Sequence, residues 1–218
     1  MRIVLFGPPG VGKSTQADLI AQNLNFKKFS MGDILRDEVT LQNELGKKIE
    51  RYVEAGELVP DDIVFELVKK FVYKHQEANI LFEGYPRTIR QAEALDALLS
   101  QLGLSIDVVL EIFLDDNEIF RRLKNRGYCP NCGRVYNYDT NPPKVDSICD
   151  NCGQKLVTRS DDSEEVIRRR LRVYAEQTKK LADHYNAPHV YQRIPADGTK
   201  QEVFDKISHI IYAYSNKR

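Results

Sequence analysis

Apolar residues recur along this chain in two rhythms. Short stretches rich in branched and aromatic side chains occupy residues 2–6, 27–29, 80–83, 107–114 and 189–194. Runs of that length predict strands buried on both faces. Between them the apolar positions step by three and four. Ala17, Ile20, Ala21 and Leu24 form one such face, and Ile63, Leu67 and Phe71 form another behind the start signal Pro60-Asp61-Asp62. A third passes through Leu171, Tyr174, Thr178, Leu181 and Tyr185 from an acidic start at Asp161-Asp162-Ser163-Glu164, and a fourth through Val203, Ile207, Ile210 and Tyr214. This spacing predicts amphipathic helices. Strands alternating with helices predict an α/β fold whose parallel sheet is covered on both faces and takes ligands at the carboxyl ends of its strands.

Two stretches break the alternation. Residues 30–60 read as a helical insertion with Gly46 and Gly56 as breakers, while residues 127–160 lose helical periodicity and hold every cysteine of the chain together with Pro130, Pro142 and Pro143. The second is read as an inserted lobe. No internal repeat or low-complexity tract is present.

Composition narrows the class. At 218 residues the chain is long enough for one sizeable core with small insertions. Its 32 basic and 32 acidic residues cancel, so no bulk field steers it to nucleic acid or membrane, and any cationic site must be built locally. No stretch approaches the length of a membrane-spanning helix, and a strand begins at residue 2 where a secretory signal would lie. A soluble cytoplasmic protein is expected. In that compartment four cysteines point to metal ligation before disulfides.

The first candidate chemistry is Gly7-Pro8-Pro9-Gly10-Val11-Gly12-Lys13-Ser14, placed between the apolar run Ile3-Val4-Leu5-Phe6 and a helical segment. The spacing G-x-x-x-x-G-K-S is that of a phosphate-binding loop. Glycines let the backbone turn tightly enough to aim N–H groups inward, and the following helix adds its positive end. Lys13 supplies a mobile charge for terminal phosphates, while Ser14 or Thr15 offers a hydroxyl near Mg²⁺. The motif predicts a nucleoside triphosphate ligand.

Cys129-x-x-Cys132 and Cys149-x-x-Cys152 form two knuckles, each followed by a turn-forming glycine, Gly133 or Gly153. Four thiolates favour a closed, structural Zn²⁺ site over an iron–sulfur centre, disulfides or free thiols. In so small a lobe the metal would replace a core the sequence cannot build. A zinc ribbon can also bind nucleic acid. Asp139, Asp146, Asp150, Asp161 and Asp162 leave no basic strip for that role.

Arginines then appear in separate segments. Arg36 follows Gly32-Asp33-Ile34-Leu35, Arg87 follows Gly84-Tyr85-Pro86 at the end of a strand, Arg122 and Arg126 precede the cysteine lobe, and Arg159 and Arg170 follow it. With Lys13 they answer the demand of phosphoryl transfer between two nucleotides, whose phosphates must meet despite mutual repulsion. No general base is needed, because an acceptor phosphate is already ionised.

Taken together, GPPGVGKSTQ from Gly7, SMGDILR from Ser30, EGYPRTIRQAE from Glu83, the four-cysteine lobe with Asn141-Pro142-Pro143, and RSDDSEEVIRRRL from Arg159 resemble the adenylate kinases of the long, zinc-lid bacterial type. The resemblance covers essentially the whole chain. It implies a P-loop NTPase fold with a five-stranded parallel sheet flanked by helices, in which a core of residues 1–29, 60–126 and 161–218 carries an AMP-binding lobe at 30–59 and a zinc-binding lid at 127–160. It implies reversible Mg²⁺-dependent transfer from ATP to AMP, giving two ADP, by a monomer without nucleic-acid or membrane partners.

Residue by residue, the resemblance implies that Gly10, Val11, Gly12, Lys13, Ser14 and Thr15 wrap the ATP phosphates, with Arg122 and Arg126 reaching ATP from the lid hinge. Val135 and Tyr136 lie against its base, and the Asp197-Gly198-Thr199-Lys200 loop touches it. Arg36 and Arg87 hold the AMP phosphate. Met31, Glu57, Leu58, Val59, Gly84, Tyr85, Pro86 and Gln91 line the AMP pocket, Gln91 reading the base edge. Arg159 and Arg170 close over both phosphates, and Lys13, Arg87, Arg122, Arg159 and Arg170 form the catalytic set. Cys129, Cys132, Cys149 and Cys152 bind structural Zn²⁺, and Asp33 and Glu83 organise Mg²⁺ through water.

The chain departs from the family pattern at several of these positions. Ser14 stands for a usual Gly, Met31 for a Thr in the AMP pocket, Glu83 for an Asp, and Tyr85 for a Phe; Gly127 and Lys180 replace an arginine and a proline. Met31 removes a hydroxyl and adds apolar volume, which keeps a UMP or CMP kinase of the same fold as the nearest rival. A nucleotide-switched nucleic-acid module and an inactive relative are the more distant ones.

Overall fold

The computed structural model describes residues 1–186 and 190–216. In chain order it contains β1 (Arg2–Phe6), α1 (Lys13–Leu24), β2 (Phe26–Ser30), α2 (Met31–Thr40), α3 (Glu44–Ala55), α4 (Asp61–His75), β3 (Asn79–Glu83), α5 (Ile89–Gln101), β4 (Val108–Phe113) and α6 (Asp116–Lys124). There follow β5 (Arg126–Tyr128), β6 (Val135–Asn137), α7 (Glu164–Val173), α8 (Leu181–His184), β7 (Tyr191–Pro195) and α9 (Lys200–Ser215).

Five strands form one parallel sheet in the order β2-β3-β1-β4-β7. Successive side chains of a strand point to opposite faces, and both faces are covered here. Val4, Phe29, Phe82 and Val109 share one core with Val64, Val68 and Val72 of α4 and Leu95 and Leu99 of α5. Ile3, Leu5, Leu81 and Leu110 share the other with Ala17 and Ile20 of α1 and Val203, Ile207 and Ile211 of α9. This double burial is why β1, β3 and β4 read as mainly apolar runs, while the edge strands β2 and β7 carry less-buried polar residues. The chain leaves β1 and β3 at their carboxyl ends through loops that begin at Gly7 and Gly84, and β2 passes directly into α2 at Met31, so three connections converge on one edge.

The expected α/β class and five-stranded sheet are present, with instructive differences inside the elements. The last strand spans Tyr191–Pro195 rather than 189–194, and position 189 lies outside the described residues. In α4 the fully buried seam is Val64, Val68 and Val72, while Ile63, Leu67 and Phe71 lie partly buried beside it. The two stripes are one residue, about 100°, apart on the helix. α4 buries the valines because the sheet and α5 meet it on that side, a choice that periodicity alone leaves open. In α9, likewise, Ile211 is buried where Ile210 and Tyr214 are only flanking.

Gly56 ends α3 in the left-handed conformation, φ 69°, as its role as a breaker implies. Gly46 breaks nothing: it lies buried inside α3, where a Cβ would come within 2.3 Å of the Glu38 carbonyl oxygen, so α2 and α3 approach too closely for any side chain there. The helix expected from residue 161 to 185 is interrupted. Ser163 caps α7, accepting from the Val166 N–H at 3.4 Å, and a π-turn over Tyr174–Thr178 separates α7 from α8. Asp161 and Asp162 precede the helix in a single 3₁₀ turn. No described helix is long and apolar enough to cross a membrane.

Candidate active site

The glycine-rich loop joins β1 to α1 under the carboxyl edge of the sheet. Gly7 takes φ 149°, and a Cβ there would meet the Ile112 carbonyl oxygen at 2.2 Å, so only glycine lets the loop pass over β4. Gly12 opens α1 at φ 105°, with nothing within 4 Å of where its Cβ would stand. The loop therefore leaves open space in front of the first N–H groups of α1, the ends that favour an anion. Lys13 folds back over it, donating to the carbonyls of Gly7 at 2.9 Å and Pro8 at 2.7 Å.

The neighbouring strand ends deliver the next groups. Glu83, at the tip of β3, is buried and accepts from the hydroxyls of Ser30 at 2.7 Å and Ser14 at 3.3 Å. This links the ends of β2 and β3 to the phosphate loop. Beyond it Gly84 adopts φ 72°, and the Arg87 Nε donates to its carbonyl at 2.8 Å. Gln91 accepts from the Arg87 N–H at 2.8 Å and donates to Asp61 at 2.8 Å, so its amide orients the loop that carries Arg87. One amide hydrogen and one carbonyl lone pair are left for a ligand. Asp33 is engaged by Arg36 and by Lys28, and Met31 is buried at the start of α2.

The remaining cations come from the flanks of the cysteine lobe. Arg122 donates to Glu118 at 3.0 Å and to the Ala196 carbonyl at 3.2 Å, tying α6 to the loop before α9. Arg126 forks onto Asp162, and Arg159 onto Asp161 at 2.8 and 2.6 Å. Arg170 reaches both, at 3.0 Å from the Asp161 carboxylate and 3.3 Å from that of Asp162. These two buried aspartates were not read as functional from the sequence. Their position between Arg159 and Ser163 resembled a helix's acidic first turn, a role that falls instead to Glu164 and Glu165.

The glycine loop, Lys13, Glu83, Gln91 and the six arginines line one cleft of about 1320 Å³, with Ser30, Asp61 and Asp162 behind them. Single ligand sites span roughly 300–1,000 Å³, so the space exceeds that of one small molecule. Every residue expected to contact ATP or AMP borders it, as do Asp33 and Glu83. Lys200 is exposed at the start of α9, its carbonyl accepting from Gln16 at 3.0 Å. Glu57 and Arg169 pair across the mouth at 3.4 Å.

The electrostatics of the cleft are set by its crowded cations. Burial pulls the Lys13 ammonium down to about 7; Glu83 opposes the shift, while Arg87, Arg170 and Arg126 reinforce it. Burial also lowers Arg87 and Arg170, and it brings Arg126 down to about 10 with Arg159 adding to the effect. Burial alone would raise the Asp161 carboxyl, but Arg170 and Arg159 overcome it and hold it at about 2. Cations from distant segments thus repel one another in a partly dry space, a cost that a polyphosphate would relieve.

In the cysteine lobe, β5 and β6 form a hairpin around the first knuckle, and Tyr128 bridges to Val157 beside the second. The Sγ atoms of Cys129, Cys132, Cys149 and Cys152 all lie within 4.8 Å of one another, and none is in a disulfide. The Gly133 and Gly153 N–H groups close each knuckle on the carbonyls of Cys129 and Cys149 at 3.0 and 2.9 Å. Tyr136 is buried among these cysteines, its hydroxyl 3.5 Å from the Cys149 sulfur and accepting from the Asp150 N–H at 2.8 Å. Cys129, Cys149, Tyr136 and Leu156 form the lobe's hydrophobic cluster among the described residues. Four converging sulfurs suit a tetrahedral soft-ligand metal.

The profile of the family described as adenylate kinase matches residues 5–190. The chain belongs to the adenylate kinase family. It is therefore an enzyme of the nucleoside monophosphate kinase class. Among its relatives, an adenylate kinase of Methanothrix thermoacetophila is 48% identical over 212 residues, 97% of this chain and 98% of the relative. One from Acidothermus cellulolyticus is 45% identical, covering 93% and 94% of the two chains. One from Thermococcus kodakarensis is 39% identical, covering 100% of this chain and 97% of the relative.

Proposed function

We propose that this family member catalyses reversible, Mg²⁺-dependent phosphoryl transfer, ATP + AMP = 2 ADP, and so balances the adenine nucleotides. The observation that carries the reading is the gathering of Lys13, Arg36, Arg87, Arg122, Arg126, Arg159 and Arg170 around a single cleft too large for one small ligand. A single triphosphate needs the glycine loop and Lys13; two facing phosphate tails need the rest.

In this reading the α1 end of the glycine loop cradles the ATP phosphates, with Lys13 following the migrating group. Arg36 and Arg87 hold the AMP phosphate, and Arg122, Arg159 and Arg170 spread over the charge that builds up between the two nucleotides. Guanidinium forks suit equatorial phosphate oxygens, and stabilisation of this kind is the main catalytic resource of phosphoryl transfer. Asp161 and Asp162 keep three of these arginines aligned before substrate arrives. Ser14, with Asp33 and Glu83 through water, would offer the hard oxygen ligands that Mg²⁺ takes, and the ion would offset phosphate charge. Residues 30–59 would serve as the AMP lobe and 127–160 as a lid stabilised by Zn²⁺, closing together to exclude water that would otherwise accept the phosphoryl group. A monomeric, cytoplasmic protein acting without nucleic-acid or membrane partners fits the balanced composition.

The deciding experiment measures ADP formation from ATP with AMP, CMP, UMP and GMP in turn. AMP is expected to react fastest by a wide margin. A faster reaction with CMP or UMP would assign the enzyme to pyrimidine nucleotides, with buried Met31 as the first residue to examine.

A further inference from the structure

Glu111 is a carboxylate where none is needed for the fold. It lies inside β4, between β1 and the edge strand β7 of the parallel sheet, and is only 4% exposed. It does not border the cleft. Carboxylates are rarely buried so deeply unless their lone pairs are satisfied. Here three groups from two other elements satisfy them. The Tyr174 hydroxyl donates at 2.9 Å, the Tyr191 hydroxyl donates to the other oxygen, and the Arg193 guanidinium of β7 stands 3.3 Å away.

The Tyr174 contact is the informative one. Tyr174 begins the π-turn, closed by the Lys179 N–H donating to the Tyr174 carbonyl at 2.9 Å. Such a turn inserts one residue into a helix and resets the face that follows. Tyr174 also lies four residues after Arg170, and its own N–H bonds back to the Arg170 carbonyl. Residues spaced by four share a helix face. The pull of Glu111 on Tyr174 therefore fixes the rotation and depth of the α7 face that presents Arg170 to the cleft. From the opposite side, Asp161 and Asp162 hold the Arg170 guanidinium itself.

We infer that Glu111, acting through Tyr174, is a positioning residue for phosphoryl transfer: it anchors the π-turn to the sheet so that Arg170 stands at its working place. Tyr191 supplies an internal control. It shares the same carboxylate but belongs to β7, which carries no cleft arginine. The inference rests on the proposed role of Arg170 in transfer, and that role is tested separately by Arg170→Lys.

The experiment compares Tyr174→Phe, Tyr191→Phe, Arg170→Lys and the double variant Tyr174→Phe/Arg170→Lys by steady-state kinetics with ATP and AMP. Tyr174→Phe deletes one hydroxyl and keeps the ring. It is expected to lower kcat about tenfold while both KM values stay within about twofold, and to add no further loss in the Arg170→Lys background. Tyr191→Phe is expected to stay within about twofold of the parent kcat at a similar cost in thermal stability. A Tyr174→Phe enzyme of unchanged kcat, a loss that multiplies with that of Arg170→Lys, or an equal loss in Tyr191→Phe would overturn the inference. Should Tyr174→Phe fail to fold, Glu111→Gln keeps the volume and one acceptor oxygen, and the same split between kcat and KM decides. An Arg170→Lys enzyme with the parent kcat would instead remove the role of Arg170 and leave the rest of the proposed function standing.

Discussion

Lys13 shows how a single side chain changes meaning between sequence and fold. As the lysine of a glycine loop it reads as an exposed, mobile charge. In the structure it is partly buried, bonds two carbonyls of its own loop, and is pulled down to about 7 by burial among other cations. Its removal takes away no apolar core. Lys13→Met is expected to lower kcat by about 10²–10³-fold with an unchanged unfolding midpoint, which kinetics and thermal melting check together. The depressed value has a second consequence. Above about pH 7 the free enzyme carries a largely neutral Lys13, and a bound polyphosphate favours the charged form. ATP binding at about pH 8 should then take up close to one proton, and the uptake should fade below about pH 6, as titration calorimetry in buffers of different ionisation enthalpy would report. Gln91 makes the complementary point: the resemblance gives its amide a proposed base-reading role, and the structure uses the same amide to orient the Arg87 loop.

Among the elements, the inner strands β1, β3 and β4 were the most legible, because burial on both faces leaves a local run of mainly apolar residues. Helices were found as elements, but their faces were not. α4 buries Val64, Val68 and Val72 beside the expected stripe, since two adjacent apolar stripes leave the packing partner to decide. The π-turn has no sequence signature and was absorbed into one long periodic run. A local signal was also missed. Thr199 and Glu202 form a complete capping box at the start of α9, with Thr199 accepting from the Glu202 N–H at 3.3 Å and donating its own N–H to the Glu202 carboxylate at 2.7 Å. The T-x-x-E spacing states this directly. Thr199→Ala should cost about 1 kcal/mol in urea unfolding, since the Glu202 N–H loses the hydroxyl that accepts from it.

On the scale of the whole molecule, the cysteine lobe stands apart from the two apolar cores that flank the sheet. Its buried cluster is small, Cys129, Tyr136, Cys149 and Leu156, and the proposed Zn²⁺ would supply the cohesion that a larger core gives elsewhere. Chelation is expected to release about one zinc per chain, open that lobe to protease, and leave the sheet's unfolding transition in place. Native protein that carries no metal and resists protease equally with and without chelator would show that the lobe stands by itself. The cleft lies between this lobe, the α2–α3 insertion and the carboxyl edge of the sheet, so the loss of one wall should impair nucleotide binding more than stability of the core.

What the chain's own order determined was everything expressed over a few neighbouring residues: the phosphate loop, the buried strands, the two cysteine knuckles and the class of fold. Backbone turns, periodicity and ligand spacing are short-range, so a single sequence displays them. Only the tertiary structure decided which charges meet. Arg126 pairs with Asp162 across 36 positions, and Tyr174 finds Glu111 across 63. Such pairings depend on how strands, insertions and helices stack around the sheet, and a charged residue carries no local mark of the partner that will desolvate or neutralise it.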